Sequence, residues 1–169
     1  PPSTPTTDTH MTAQIHKFLG HRMLLTAEGN ILTQCRWILP EDTVQDCDHI
    51  PQRNEVIGMA ISQISEYLEG KRKVFNMPFR LDGTEFRRKV WDEMRRIPYG
   101  EAITYKELAR RIGSPDACRA VANACGANPF PILIPCHRVV ASGGKIGGYT
   151  GGLDIKLALL ELEKQNAHQ

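Results

Sequence analysis

No apolar run in this 169-residue chain approaches the roughly 20 residues that a membrane-spanning helix needs. Its first residues also lack a basic segment followed by an apolar core, the pattern of a secretory leader. No Cys-x-x-Cys pair occurs, and the five cysteines (Cys35, Cys47, Cys118, Cys125 and Cys136) are an odd number that cannot all pair within one chain. Reduced thiols inside a cell are the expectation. Cys35, Cys47 and His49 form no zinc-ligand pattern, and no phosphate-binding glycine fingerprint is present. Neither a metal nor a cofactor is therefore expected. Net charge is small as well: at +2 it is too low by itself to argue for a polyanionic partner.

What charge there is has a direction. Residues 1–78 hold 7 basic and 9 acidic side chains, and residues 79–169 hold 14 and 10. Arg87, Arg88, Lys89, Arg95 and Arg96 form a basic cluster that suits either a phosphate-contacting surface or a solvated helix face.

The composition is that of an ordinary globular protein, and the order of predicted elements reads as a mixed α/β (α+β) fold with a helix-turn-helix. The first ten residues are rich in Pro and Thr, and residues 1–14 read as a disordered tail. Residues 15–78 read as a small N-terminal α/β domain. Met23-Leu24-Leu25 and Ile31-Leu32 flank Gly29-Asn30 as strands flank a hairpin turn, residues 41–48 read as an acidic loop, and apolar spacing predicts a helix over 56–68. Residues 79–169 read as a mainly helical C-terminal domain. Thr84 is the expected N-cap of a helix reaching Met94, and Thr104-x-x-Glu107 a capping box for a helix to Ile112. Ser114-Pro115 then reads as the N-cap and first turn of a helix ending near Cys125-Gly126. The last two helices have the spacing of a helix-turn-helix. The second is rich in alanine, with Arg119 its one long cationic side chain. An amphipathic helix over 154–164 follows.

The stretch Ile134-Pro135-Cys136-His137-Arg138-Val139 sets a thiol, an imidazole and a guanidinium side by side. Cysteine reacts as its thiolate, which a neighbouring base or positive charge favours. Pro135 stiffens the backbone beneath the thiol, and the apolar residues 130–134 predict a buried segment leading to it. A buried structural cysteine beside a satisfied histidine is the competing reading.

The run Asn128-Pro129-Phe130-Pro131-Ile132-Leu133-Ile134-Pro135-Cys136-His137-Arg138-Val139-Val140 resembles the active-site signature of the O6-alkylguanine-DNA alkyltransferases. Arg119-Ala120-Val121 upstream and Gly148-Tyr149-Thr150-Gly151-Gly152-Leu153 downstream match the same family in order and spacing. The resemblance implies a single-turnover methyltransferase that flips the damaged base and takes its alkyl group onto Cys136, without a cofactor. It implies that His137 acts through a water, that Glu163 orients His137, and that Tyr105 donates toward the base. Asn128 would brace the turn before the active-site segment, while Val139, Tyr149 and Thr150 would line the base pocket. Cys125, where the family varies, would enlarge that pocket for alkyl groups bulkier than methyl. Arg119 would fill the vacated stack, and the helix bearing Ala120 and Ala122, with Arg138, would contact DNA. The implied partner is double-stranded DNA, met in the minor groove largely without regard to sequence by a protein that is a monomer in solution and binds no membrane. The implied place is the cytoplasm (nucleoid), or the nucleus in a eukaryote.

Two other classes share parts of this pattern. A non-catalytic lesion sensor would lack the reactive cysteine, which is present here. A helix-turn-helix regulator would carry several polar base-reading side chains where this helix carries alanine.

Overall fold

Alternating inward and outward side chains build the first element of the computed structural model, which describes residues 11–43 and 53–168. Three antiparallel strands, β1 (Met11–Phe18), β2 (His21–Glu28) and β3 (Ile31–Trp37), lie in the order β1-β2-β3. On β2 the period of two buries Met23, Leu25 and Ala27. The Gly29-Asn30 turn joins β2 and β3 as expected. The start differs from expectation: residues 11–14 belong to β1, pairing with residues 25–28, and are not part of a tail. The sequence conceals this strand because β1 lies at the sheet edge with only Phe18 buried, so polar side chains occupy half of it. Residues 1–10, most of the acidic loop at 41–48, Cys47 and His49 fall outside the described residues.

A β-bulge gives β3 its orientation. Thr26 pairs with Gln34 while Ala27 pairs with Leu32, leaving Thr33 as the extra residue. The extra residue reverses the side-chain parity, so Leu32 on one side of it and Cys35 and Trp37 on the other all face inward. The outer edge of β3 is stitched to the rest of the chain. Leu32 N–H donates to Pro78 O and Arg80 N–H to Leu32 O, while Cys35 N–H donates to Pro129 O at 2.8 Å, just before the segment 130–136 that leads to Cys136.

Helix α1 (Glu55–Leu68) is capped by Asn54, whose side chain accepts from Ile57 N–H, and its apolar face buries Val56, Ile57, Ala60, Ile64 and Tyr67. Helix α2 (Glu85–Met94) starts at the expected Thr84 cap. It buries Trp91, whose indole N–H donates to Ala124 O at 2.8 Å, and leaves the basic cluster exposed.

Strand β4 (Ile103–Thr104) leads into helix α3 (Tyr105–Arg111), and α4 (Cys118–Gly126) packs against both α2 and α3. Thr104 caps α3 by accepting from Glu107 N–H. The reciprocal half of the capping box does not form, because the Glu107 carboxylate pairs with Arg110 and Arg111 instead. The start of α4 is also later than expected. Ala117 is its N-cap, and residues 114–117 form a turn closed by Ala117 N–H to Ser114 O.

Beyond α4, residues 136–138 form one 3₁₀ turn, β5 (Val139–Val140) pairs in parallel with β4, and α5 (Leu153–Asn166) closes the chain. One contiguous buried cluster runs from Phe18 in β1 to Leu159 in α5, so both halves of the chain share a core. Among the described residues, no helix is long and apolar enough to cross a membrane.

Candidate active site around Cys136

The active-site segment is held in a conformation that an ordinary sequence would avoid. Ile132, a β-branched residue, has φ of 76°, a left-handed backbone whose cost is on the order of 1–3 kcal/mol. Asn128 holds it there. Its Oδ1 accepts from Phe130 N–H at 2.9 Å and its Nδ2 donates to Ile134 O at 2.8 Å, bridging both ends of the turn as expected. Phe130, Ile132 and Ile134 are buried beneath it. The turn delivers Cys136 to the floor of a cavity bordered by Tyr105, Ala122, Cys125, Tyr149 and Thr150.

Burial raises the Cys136 thiol above its ordinary pKa, against the opposing pull of the Asn128 side chain and the Lys156 ammonium. The resting group is therefore the thiol, which needs a base.

The neighbouring imidazole has the features of one. His137 is fully buried, and its Nε2 lies 2.6 Å from Glu163 Oε2. A carboxylate only accepts, so Nε2 carries the proton and Nδ1 holds the free lone pair. Nδ1 is buried and has no hydrogen-bond partner among the described residues. Burial lowers the His137 pKa and outweighs the attraction of Glu163, so the ring is neutral.

Glu163 is the hub of the site. Its Oε1 accepts from Arg138 Nε at 2.8 Å and Gly100 N–H at 3.0 Å. Its Oε2 accepts from His137, from Arg138 at 3.0 Å and from the Tyr67 hydroxyl. Burial alone would raise the Glu163 pKa, but the bonds from His137 and Arg138 hold it well below the usual carboxylate range. Gly100 reaches the carboxylate with φ of 84°, and a Cβ there would stand 2.7 Å from the Ala167 side chain, so only glycine serves.

The placement of Arg138 corrects its expected role on DNA. It is 7% exposed, with its guanidinium committed to Glu163 and, at 2.7 Å, to Ile97 O. A side chain so enclosed does not reach a phosphate.

Val139, expected to line the base pocket, is fully buried. Its carbonyl accepts from the Lys156 ammonium at 2.7 Å, so one of its two lone pairs is already engaged. Tyr105, half-buried, donates to Gly148 O at 3.4 Å, and burial raises its pKa, so it keeps its proton. Tyr149 accepts from the Trp37 indole at 3.1 Å, and Thr150 donates to Gly126 O at 3.1 Å. On α4, Arg119 and Ala120 are exposed, whereas Ala122 and Cys125 turn toward the cavity.

Three contributors escaped the sequence reading. Lys156 is fully buried, donating to Val139 O and Gly148 O, with its ammonium 5.8 Å from the Tyr105 ring centre. A signal for it existed: Ile155, Lys156, Leu159 and Glu163 form the buried stripe of α5, and two charges on an apolar stripe mark a site. Tyr67 and Trp37 gave no such signal, because each fits the apolar pattern of its element.

Tyr67 comes from α1, so the N-terminal half supplies a donor to the Glu163 hub. Its hydroxyl also lies 3.4 Å from His137 Nε2, and burial followed by the Glu163 charge raises its pKa far above the ordinary value. Tyr67→Phe is expected to cost about 1–3 kcal/mol in urea denaturation. Its proton-dependent rate profile should also shift toward higher pH, since losing one donor strengthens the pull of Glu163 on the imidazolium. A profile superimposable on the parent's would limit Tyr67 to packing.

Residues 85–165 match the family model described as 6-O-methylguanine DNA methyltransferase, DNA binding domain. The methylated-DNA–protein-cysteine methyltransferase of Mycobacterium bovis is 40% identical over 86% of this chain and 87% of its own length. The constitutive Bacillus subtilis protein of that name is 39% identical over 86% and 90%. Among solved structures, Mycobacterium tuberculosis OGT in complex with DNA superimposes with a TM-score of 0.79 at 38% identity, covering 91% of this chain and 93% of that one.

Proposed function

Because this chain belongs to the methylated-DNA–protein-cysteine methyltransferase family, we propose that it repairs O6-alkylguanine in DNA, with O4-alkylthymine as the alternative lesion, by moving the alkyl group irreversibly onto Cys136. The observation that carries this reading is a thiol at the floor of a cavity, backed by a buried imidazole whose tautomer Glu163 fixes.

The reaction needs the thiol proton to leave as the sulfur attacks. Cys136 and His137 are adjacent in sequence, so the transfer runs through a water to His137 Nδ1, and the Glu163 charge stabilises the imidazolium. The sulfur attacks the alkyl carbon in line with its bond to O6. The S–C bond forms, the C–O bond breaks, and the electron pair passes to the guanine. Tyr105 gives the base its proton and is reprotonated in turn, so the net movement is one proton from thiol to guanine. Val139 and the Tyr149–Thr150 loop hold the base. The product thioether offers water no ready leaving group, and each molecule acts once.

A base inside the duplex is out of reach, and extruding it costs a few kcal/mol. The exposed edge of α4, with Arg119 and Ala120, supports a role in that step. Its small side chains suit close approach in the minor groove, where sequence is read only weakly, and Arg119 fills the gap left by the base. No second copy is required by this arrangement, and the protein works as a monomer.

The test is a titration of duplex DNA bearing one O6-methylguanine per molecule. Lesion loss should equal the protein added and then stop; sustained turnover would contradict the proposal. In the same assay Arg119→Ala should slow repair of duplex by about 10- to 100-fold, a share of the extrusion cost. Its reaction with free O6-benzylguanine base, which needs no extrusion, should match the parent's. Equal slowing on both substrates would remove Arg119 from the flipping step.

A further inference from the structure

The alkyl pocket has a wall that the active-site motifs do not supply. Trp37 sits at the end of β3, is 3% exposed, and borders a second cavity that shares Cys125, Cys136, Tyr149 and Thr150 with the one described above. Its inward orientation follows from the bulge at Thr33, without which the strand would turn it outward. Three contacts then fix the indole. Its N–H donates to the Tyr149 hydroxyl at 3.1 Å. Its ring lies against Gly151 so closely that a Cβ there would stand 2.6 Å from Trp37 Cδ1. Its other side meets the His21 ring edge-on, with centres 6.4 Å apart, and His21 Nε2 is in turn 2.8 Å from Asp154 Oδ2 at the start of α5.

We infer that Trp37 is a specificity-determining residue for alkyl transfer: it backs the Tyr149–Gly151 loop and thereby sets the largest alkyl group the pocket admits. The inference rests on the alkyltransferase reading and extends it to the N-terminal sheet. Another part of the lining, contributed by α4, has the opposite character. Cys125 is a short side chain there, with its sulfur 3.5 Å from Met94 Sδ. Room is thus left on the α4 side and limited on the β3 side. Arylmethyl groups such as benzyl are the class that this limit acts on, because a methyl group fills far less of the space between these walls.

The experiment compares single-turnover rates on duplexes carrying O6-methylguanine or O6-benzylguanine. Trp37→Ala should raise the benzyl-to-methyl rate ratio about tenfold, the low end of what one or two methylene volumes decide in an apolar pocket. Trp37→Phe keeps a ring on Gly151 and drops the N–H, so its ratio should rise less. Cys125→Met, which fills space on the α4 side, should lower the ratio. Melting curves identify the folded variants, and if Trp37→Ala does not fold, Trp37→Phe decides. Ratios that stay within about twofold of the parent's, or fall, in the folded Trp37 variants overturn the inference. Absence of methyl transfer by the parent protein would instead overturn the underlying reading.

Discussion

Cys136→Ala is expected to abolish alkyl transfer, by at least about 10⁴-fold, while leaving affinity for duplex DNA within a few fold. The expectation follows from how the cavity is furnished. Every other group at its floor can bind, orient or move a proton, but only Cys136 can form the new bond to carbon. The nearest substitute would be Cys125, which borders the same cavity. Burial alone, which the substitution leaves in place, pushes its thiol above the ordinary value, and its sulfur faces Met94. It has no imidazole to take its proton among the contacts described, so it does not take over. DNA contact, by contrast, rests on the exposed edge of α4, which the substitution leaves alone. Transfer by the variant at a tenth of the parent rate would show that the nucleophile is another residue.

Glu163→Gln is expected to have the largest effect on stability, about 3–5 kcal/mol in denaturant unfolding at neutral pH. The carboxylate collects five donors, two of them from the buried Arg138 guanidinium. Glutamine offers one acceptor oxygen and presents an NH₂ group to the remaining donors, and Arg138 is left buried without its counter-charge. Transfer should also slow, because nothing then fixes the proton on His137 Nε2 and the lone pair on Nδ1. The pH dependence has a definite sign. The folded-state pKa of Glu163 lies below its ordinary value of 4.5, so its contribution is present above that value and lost as pH falls through the folded pKa. His137 is also lowered, from 6.5, so the unfolded chain takes up its proton first and stability declines as pH falls below that value. Parent and variant should therefore converge in strong acid. A loss below about 1 kcal/mol at neutral pH would mean that the hub is not the anchor of the site.

Much of the site was legible because its chemistry is local in sequence. Cys136, His137 and the brace Asn128 lie within one short segment, and Tyr149 and Thr150 follow in a glycine-rich loop. The structure brings them together with Tyr105 and Glu163, as the resemblance implied. The N-cap at Thr84 and the turn at Gly29-Asn30 are likewise fixed by neighbouring residues. What stayed hidden depends on distant partners. Arg138 reads as a surface cation until Glu163 and Ile97 are seen to enclose it. Tyr67 reads as core, and only the tertiary fold reveals the carboxylate at its hydroxyl. Trp37 owes its direction to a one-residue bulge, which alternation of apolar residues conceals. β1 escaped because an edge strand buries little.

The most direct test of the central claim is intact and peptide mass spectrometry after incubation with duplex DNA containing O6-methylguanine. The account predicts one added methyl group per protein molecule, located on Cys136, with an equal loss of the lesion. A methyl group on any other residue, or DNA bound with no change in protein mass, would contradict it.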